Sequence, residues 1–372
     1  MPLSCIPSSS SSNGSQSPRP VSTSSDAASD AATKDVAALW ARLENIPPPQ
    51  NWAFDRKQVA VNSSKVHCNR NNVIEITAMD GSKTAIHANK IGPNTGSTTP
   101  YYAAGQSPQQ ISLLDRMLVQ GIESGLGIYQ FVSRKAHRSG SDSKETTILT
   151  MLTNLREQKA ATKEALIIAG KYEVIDLKDR QEKDSEYRQF LLTVKVIGAE
   201  SAEPLRIPIT QAGFKFTDAV LNADKIELAR MALVQHIPTT LTPRAQTGTA
   251  QIHPLIVSHA GIGRNATLIT YDRIWNLINS KNADERINRI NLDDKLCELI
   301  EEGRKSRGPR FVHSREQLAQ LRAALILAIE HRAEIANRTD TAPIHFHTER
   351  KGWLSRNPFK HVLTCLRKKP AV

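Results

Sequence analysis

The chain is poor in aromatic residues, 5% of 372, which leaves few rings for a platform on which nucleic-acid bases could stack. Its four cysteines, Cys5, Cys68, Cys297 and Cys365, are dispersed; they form neither a metal-ligand spacing nor a disulfide framework, and no metal or cofactor is expected. No apolar run approaches the roughly 18 residues of a membrane span. The start lacks a positively charged segment followed by an apolar stretch, which argues against a cleaved secretory signal. Acidic side chains are also short in supply, 37 against 49 Lys and Arg, for a net charge of +12. Such a surplus suits nucleic acid, acidic lipid or acidic phosphoprotein. The scarcity of rings makes nucleic acid the least favoured of the three.

What is present divides the chain in three. Residues 1–34 are dominated by Ser, with Thr, Ala, Pro and Asp, and cannot bury enough apolar surface to fold. The folded part is expected over 35–337, starting where Val36, Leu39, Trp40 and Leu43 trace one helical face before Pro47-Pro48-Pro49 stops it. Hydrophobic content of 39% is enough for one large core. The tail, 338–372, interleaves Arg350, Lys351, Arg356, Lys360, Arg367, Lys368 and Lys369 with Trp353, Leu354, Phe359, Val362, Leu363 and Leu366. That mixture suits an anionic membrane surface, where Cys365 could carry an acyl chain, or a segment docked on the domain. The polar stretch Arg138 to Glu145 reads as an exposed insertion.

The densest signal is Pro254-Leu255-Ile256-Val257-Ser258-His259-Ala260-Gly261-Ile262-Gly263-Arg264-Asn265-Ala266-Thr267. Leu255 to Val257 form a β-branched apolar run of the kind found in buried strands. Gly261 and Gly263 let the backbone curl and turn several N–H groups toward one point. From Asn265 on, Leu268, Tyr271, Trp275 and Ile278 keep helical spacing. Strand, glycine-containing loop and helix N-terminus together make an anion cradle, and Arg264 adds a planar fork suited to two phosphate oxygens.

This segment resembles the phosphate loop of cysteine-dependent protein tyrosine phosphatases, His-Cys-x5-Arg-Ser/Thr, with Ser258 in the cysteine's slot. The resemblance covers about residues 36 to 337. Asn69-Arg70 with Ala88-Asn89-Lys90-Ile91 is similar to the family's Asn-Arg-Tyr segment and following strand. Tyr101 to Met117, containing Gly105-Gln106-Ser107-Pro108, resembles its Tyr-x-x-x-Gln-x-Pro stretch, and Gly127 to Val132 its next core strand. Arg206 to Gln211 leads to Phe216-Thr217-Asp218, where the family carries its mobile Trp-Pro-Asp loop. Phe311 to Gln317 is similar to the glutamine loop, with His313 replacing the first glutamine and Gln317 matching the second. By pattern, the nearest relatives are tyrosine phosphatases that bacterial pathogens inject into host cells. The implied fold is an α/β domain with a twisted mixed sheet flanked by helices and the phosphate loop between a central strand and a helix.

The resemblance implies roles for the site residues, and several are altered. The family's cysteine is a low-pKa thiolate that takes the phosphoryl group covalently. A serine hydroxyl is far more basic, and the preceding histidine is replaced by Val257. His259 follows Ser258, but adjacent residues on a curled loop usually point apart. Asn265 replaces the hydroxyl residue that eases departure of the sulfur; Asn is in any case favoured at a helix N-terminus. Asp218 stands at the general-acid position, or is a turn residue. Gln317 also closes a capping box, Ser314-x-x-Gln317. Asn71 stands where the family stacks a tyrosine on phosphotyrosine, and Phe216 and Thr217 replace the anchor and hinge of the acid loop.

The expected function is therefore a secreted effector of the tyrosine-phosphatase family, a pseudophosphatase that binds phosphorylated protein or peptide through Ser258, His259, Ala260, Gly261, Ile262, Gly263 and Arg264, supported by Asn265, His313 and Gln317. The alternatives are a weak enzyme working through Ser258, Asp218 and His313, and a scaffold with a vestigial cleft. The Ser-rich start resembles the type III secretion signals of injected effectors. It implies a secretion chaperone as a further partner and the host cell as the destination.

Overall fold

The stripe of Val36, Leu39, Trp40 and Leu43 folds as the first helix, α1 (35–44), and all four side chains are buried. The computed structural model describes residues 35–46, 69–77, 83–92, 102–108, 111–124, 127–132, 147–179, 187–199, 202–213, 221–236, 254–259 and 261–332, all within one unit, Asp35–Arg350. The two tails, the Arg138 to Glu145 stretch, Asp218 with Phe216 and Thr217, Ala260, Cys5, Cys68 and Cys365 lie outside the described residues.

After a single 3-10 turn at Arg70–Asn72 come β1 (Val73–Thr77), β2 (Lys83–Ile91) and β3 (Tyr102–Gln106). Helix α2 (Ile111–Ser124), β4 (Ile128–Phe131) and α3 (Ile148–Thr162) follow. Next is a run of strands, β5 (Ile167–Ile168), β6 (Tyr172–Asp179), β7 (Tyr187–Val196) and β8 (Leu205–Ala212). The last part holds α4 (Ala223–His236), β9 (Leu255–Ser258), α5 (Gly263–Ile278), α6 (Leu292–Arg307) and α7 (Arg315–Glu330).

Among the described residues the strands form one mixed sheet in the order β1-β2-β3-β9-β4-β8-β7-β6-β5. Its centre is parallel, with β9 paired to β3 on one side and β4 on the other, and β4 paired to β8. Both wings are antiparallel. The protein is thus α/β, a large mixed sheet flanked by helices. A central parallel strand is covered on both faces, and the unbroken apolar run Leu255-Ile256-Val257 answers to that position: all three are buried.

One face packs on α2 and α3 through Leu114, Met117, Leu118 and Leu152 against Ile128, Ile209, Leu255 and Val257. Each such fully buried side chain contributes about 1.5–3 kcal/mol. On the other face α4 packs on β8, α5 on β3 and β9, and α6 on β2. Tyr129 of β4 donates from Oη to Ala229 O of α4 at 3.1 Å. Helix α1 is tied to α6 by Arg304, which lies over the Trp40 ring and donates to Leu43 O. In an α/β sheet ligands gather outside the carboxyl ends of the parallel strands, which here is where β9 ends at Ser258.

Candidate functional site

Ser258 is the last residue of β9 and is buried, whereas His259 beside it is exposed. The chain then curls through Gly261, whose φ of 70° lies in the left-handed region that favours glycine. This turns the Gly261 N–H back to the Ser258 Oγ, which accepts it at 3.2 Å. Helix α5 begins at Gly263 with Ile262 at its N-cap, a side chain that has no polar atom to cap with. The positive end of α5 thus opens at the loop without a side-chain cap, and Arg264 stands half-buried in its first turn.

Asn265 sits in that first turn but does not cap it. Its side-chain amide spans two strands, donating to Gly105 O at 3.0 Å and Ile256 O at 2.9 Å, so it ties the helix to the ends of β3 and β9. Its Oδ1 is buried without a hydrogen-bond partner. Ser107 N–H donates to Ser258 O at 2.8 Å, and Gln130 Nε2 donates to Ser107 Oγ at 3.2 Å. The strand ends around Ser258 are therefore fixed by side chains as well as by the ladder.

The 313–317 segment closes over the loop at Gly263. Ser314 caps α7, accepting from Gln317 N at 3.2 Å. The reciprocal bond departs from a standard capping box, because Gln317 Oε1 accepts from His313 N, one residue before the cap, at 3.0 Å. The same oxygen lies 3.0 Å from His313 Nδ1, and since an amide oxygen only accepts, Nδ1 is the donor. A Cβ on Gly263 would stand 2.7 Å from His313 Nδ1 and closer still to Gln317 Nε2. Glycine is required there for that approach. Of the capping box read in the sequence, the Ser314 half forms, through the Gln317 N–H, while the Gln317 side chain turns to His313.

Arg307, at the end of α6, was not legible as a site residue, since Lys305-Ser306-Arg307-Gly308 reads as an ordinary basic last turn. It is fully buried. Its Nε donates to Gly261 O at 3.2 Å, Nη1 to Asn89 Oδ1 at 2.8 Å, and Nη2 to His87 Nδ1 at 3.0 Å and His87 O at 3.4 Å. Asn89 also donates to Asn69 O and Asn72 Oδ1, and Asn69 Nδ2 to Lys305 O. Asn71 is exposed. The Asn69 segment, β2, α6 and the loop therefore meet at one guanidinium.

Cys297 is buried in α6, as its helical pattern suggests, and burial pushes its thiol up, away from thiolate. Among the described residues no group of three His, Cys, Asp or Glu is placed to hold a metal, and no helix is long and apolar enough to cross a membrane. No family model matches the chain, and no curated protein matches it significantly. Function has to be argued from this geometry.

Proposed function

We propose that the chain is a tyrosine-phosphatase-like pseudophosphatase, which holds the phosphoryl group of a phosphorylated protein in the β9–α5 loop and does not hydrolyse it. The observation that carries this reading is the buried Ser258 hydroxyl, standing in the nucleophile's slot and accepting the Gly261 N–H from a loop that opens on the uncapped end of α5. Amides turned inward, the helix dipole and Arg264 favour an oxyanion there. Several features speak against turnover. A serine hydroxyl needs a base and an orienting group, and His259 is exposed while Ser258 is buried. Asn265 gives its side-chain hydrogens to Gly105 O and Ile256 O, away from any departing oxygen.

In this reading Ser258 to Arg264 grip the phosphate, and the bound phosphosite is shielded from phosphatases and from phosphotyrosine readers; the family resemblance gives Asp218 the general-acid position. Phosphotyrosine is the carrier that the family resemblance implies. The Ser-rich start serves export into a host cell with a secretion chaperone, and the basic tail serves an anionic membrane surface.

Titration with phosphotyrosine, phosphothreonine and unphosphorylated peptides tests the reading. Arg264→Ala is expected to weaken phosphopeptide binding by about 1.5–3 kcal/mol, the worth of hydrogen bonds to a charged group. Unchanged affinity would leave only a scaffold with a vestigial cleft. Release of phosphate from an aryl phosphate, abolished by Ser258→Ala, would instead make the protein an enzyme.

A further inference from the structure

We infer that His87 is a positioning residue of the β9–α5 loop: it acts through Arg307 as a neutral acceptor, and the loop loses its hold when His87 takes up a proton. The consequence for affinity rests on the phosphate-binding reading above; the consequence for the loop does not.

Arginine only donates. The His87 Nδ1 that lies 3.0 Å from Arg307 Nη2 therefore carries no hydrogen, and the ring is neutral with its proton on Nε2. His87 is buried on β2, so this state is enforced by packing as well as by the partner. The guanidinium that His87 holds in place also takes Gly261 O, while the Gly261 N–H goes to Ser258 Oγ. In a trans peptide the carbonyl and the next N–H point in opposite directions. Drawing Gly261 O toward Arg307 thus turns the Ile262 N–H the other way, away from Arg307. The aim of a cradle donor is set by a side chain on the far side of the loop.

Among the described residues, the elements next to His87 carry the following charged groups. On α6, Asp293 and Asp294 are paired with Arg322 and Arg42, Glu298 with Lys295, Glu301 with Lys305, and Glu302 with Arg273. Arg304 of the same helix turns to Phe311 O, Val312 O and Leu43 O. On β1, Glu75 shares the sheet face of His87, opposite Ala85, and is exposed. From α5, Arg264 stands at the loop and Asp272 is held by Tyr102 and Arg230. From α2, Arg116 donates to Ala85 O. Among the described residues, the charge seen to meet the ring is Arg307. A proton on Nδ1 removes its acceptor and sets two cations 3.0 Å apart.

The test is the affinity of a phosphotyrosine peptide, with the amide shift of Gly261, for the full chain and its H87L and H87N variants between about pH 8 and 5, where an imidazole changes charge. At the upper end H87L is expected to weaken binding about tenfold, and H87N, whose amide oxygen can accept from Arg307, to restore most of it. As the pH falls, the wild type is expected to lose about tenfold more than H87N; protonation of the ligand is common to both. Parallel profiles for wild type and H87N would overturn the proposal, and that comparison stands even if H87L folds poorly. If no protein binds the peptide at any pH, the phosphate reading fails separately. The Gly261 amide then decides: a titration step in the wild type that H87N lacks supports the positioning role, and the same step in both removes it.

Discussion

Two buried arginines serve the same sheet in different ways. Among the described residues, Arg307 is seen to donate to neutral acceptors, Gly261 O, Asn89 and His87. Arg230 of α4 is held by carboxylates: its Nη2 donates to Glu227 Oε1 at 2.8 Å, its Nη1 lies 3.8 Å from Asp272 Oδ1, and its guanidinium stacks 3.6 Å over the Trp275 ring. Burial works against the Arg230 charge, but Glu227 and then Asp272 more than offset it and hold its pKa up. Asp272 in turn accepts from Tyr102 Oη at 2.6 Å. Behind α5, positive charge is met by negative charge and the cluster braces helices. Beside the loop, in the reading proposed above, a guanidinium aims a backbone and the field of the uncapped helix end is left for a ligand.

Removing each arginine's cluster should therefore cost different things. Arg230→Ala leaves Glu227 and Asp272 in the interior without their cation, and breaking a buried pair in this way typically costs about 3–5 kcal/mol. The expected outcome is a loss of about that size in urea unfolding, with phosphopeptide affinity kept in the fraction that folds. A variant as stable as the wild type would remove the distinction between bracing and aiming.

A smaller effect is expected in alkali, and it falls on the bracing region. Burial, reinforced by Asp272 for Tyr102 and by Glu227 for Tyr271, holds both phenols well above their ordinary pKa. In the unfolded chain they titrate at about 10. Their contribution to stability is thus intact below that value and is lost as the pH rises past it, since the unfolded chain then binds fewer protons than the folded one. The slope is about 1.4 kcal/mol per pH unit for each phenol. Urea midpoints measured from pH 9 upward, in units of about one, should fall less steeply in Tyr102→Phe; an unchanged slope would place Tyr102 outside the effect.

What could be read from the sequence was what depends on near neighbours. The α1 stripe, the apolar run of β9, the helical spacing of α5 and the Ser314 cap are local patterns, and all form. The partners of Arg307 lie far off in sequence, His87 by 220 residues, so nothing near Arg307 distinguishes it from a basic helix end. Asn265 shows the same limit. Its place in the first turn of α5 follows from local preference, but its bond to Gly105 spans 160 residues and gives the side chain a different task. Strand β6 carries little local signal for another reason: Glu173, Asp176, Lys178 and Asp179 stand among its apolar residues, and of its side chains only Tyr172 is buried.

The smallest effect belongs to Ser314, which lies in neither arginine cluster. Ser314→Ala removes the acceptor for Gln317 N, a loss of about 1 kcal/mol for an N-cap. Gln317 is buried, its Oε1 holds His313 by backbone and ring, and both side chains press on Gly263. Loosening the cap should therefore be felt at the loop. Hydrogen exchange at the Gly263 and Arg264 amides is expected to quicken in Ser314→Ala, and exchange in α4 to stay as it is. If the two regions quickened equally, the change would be a uniform loss of stability, and the 313–317 segment would have no particular hold on the loop.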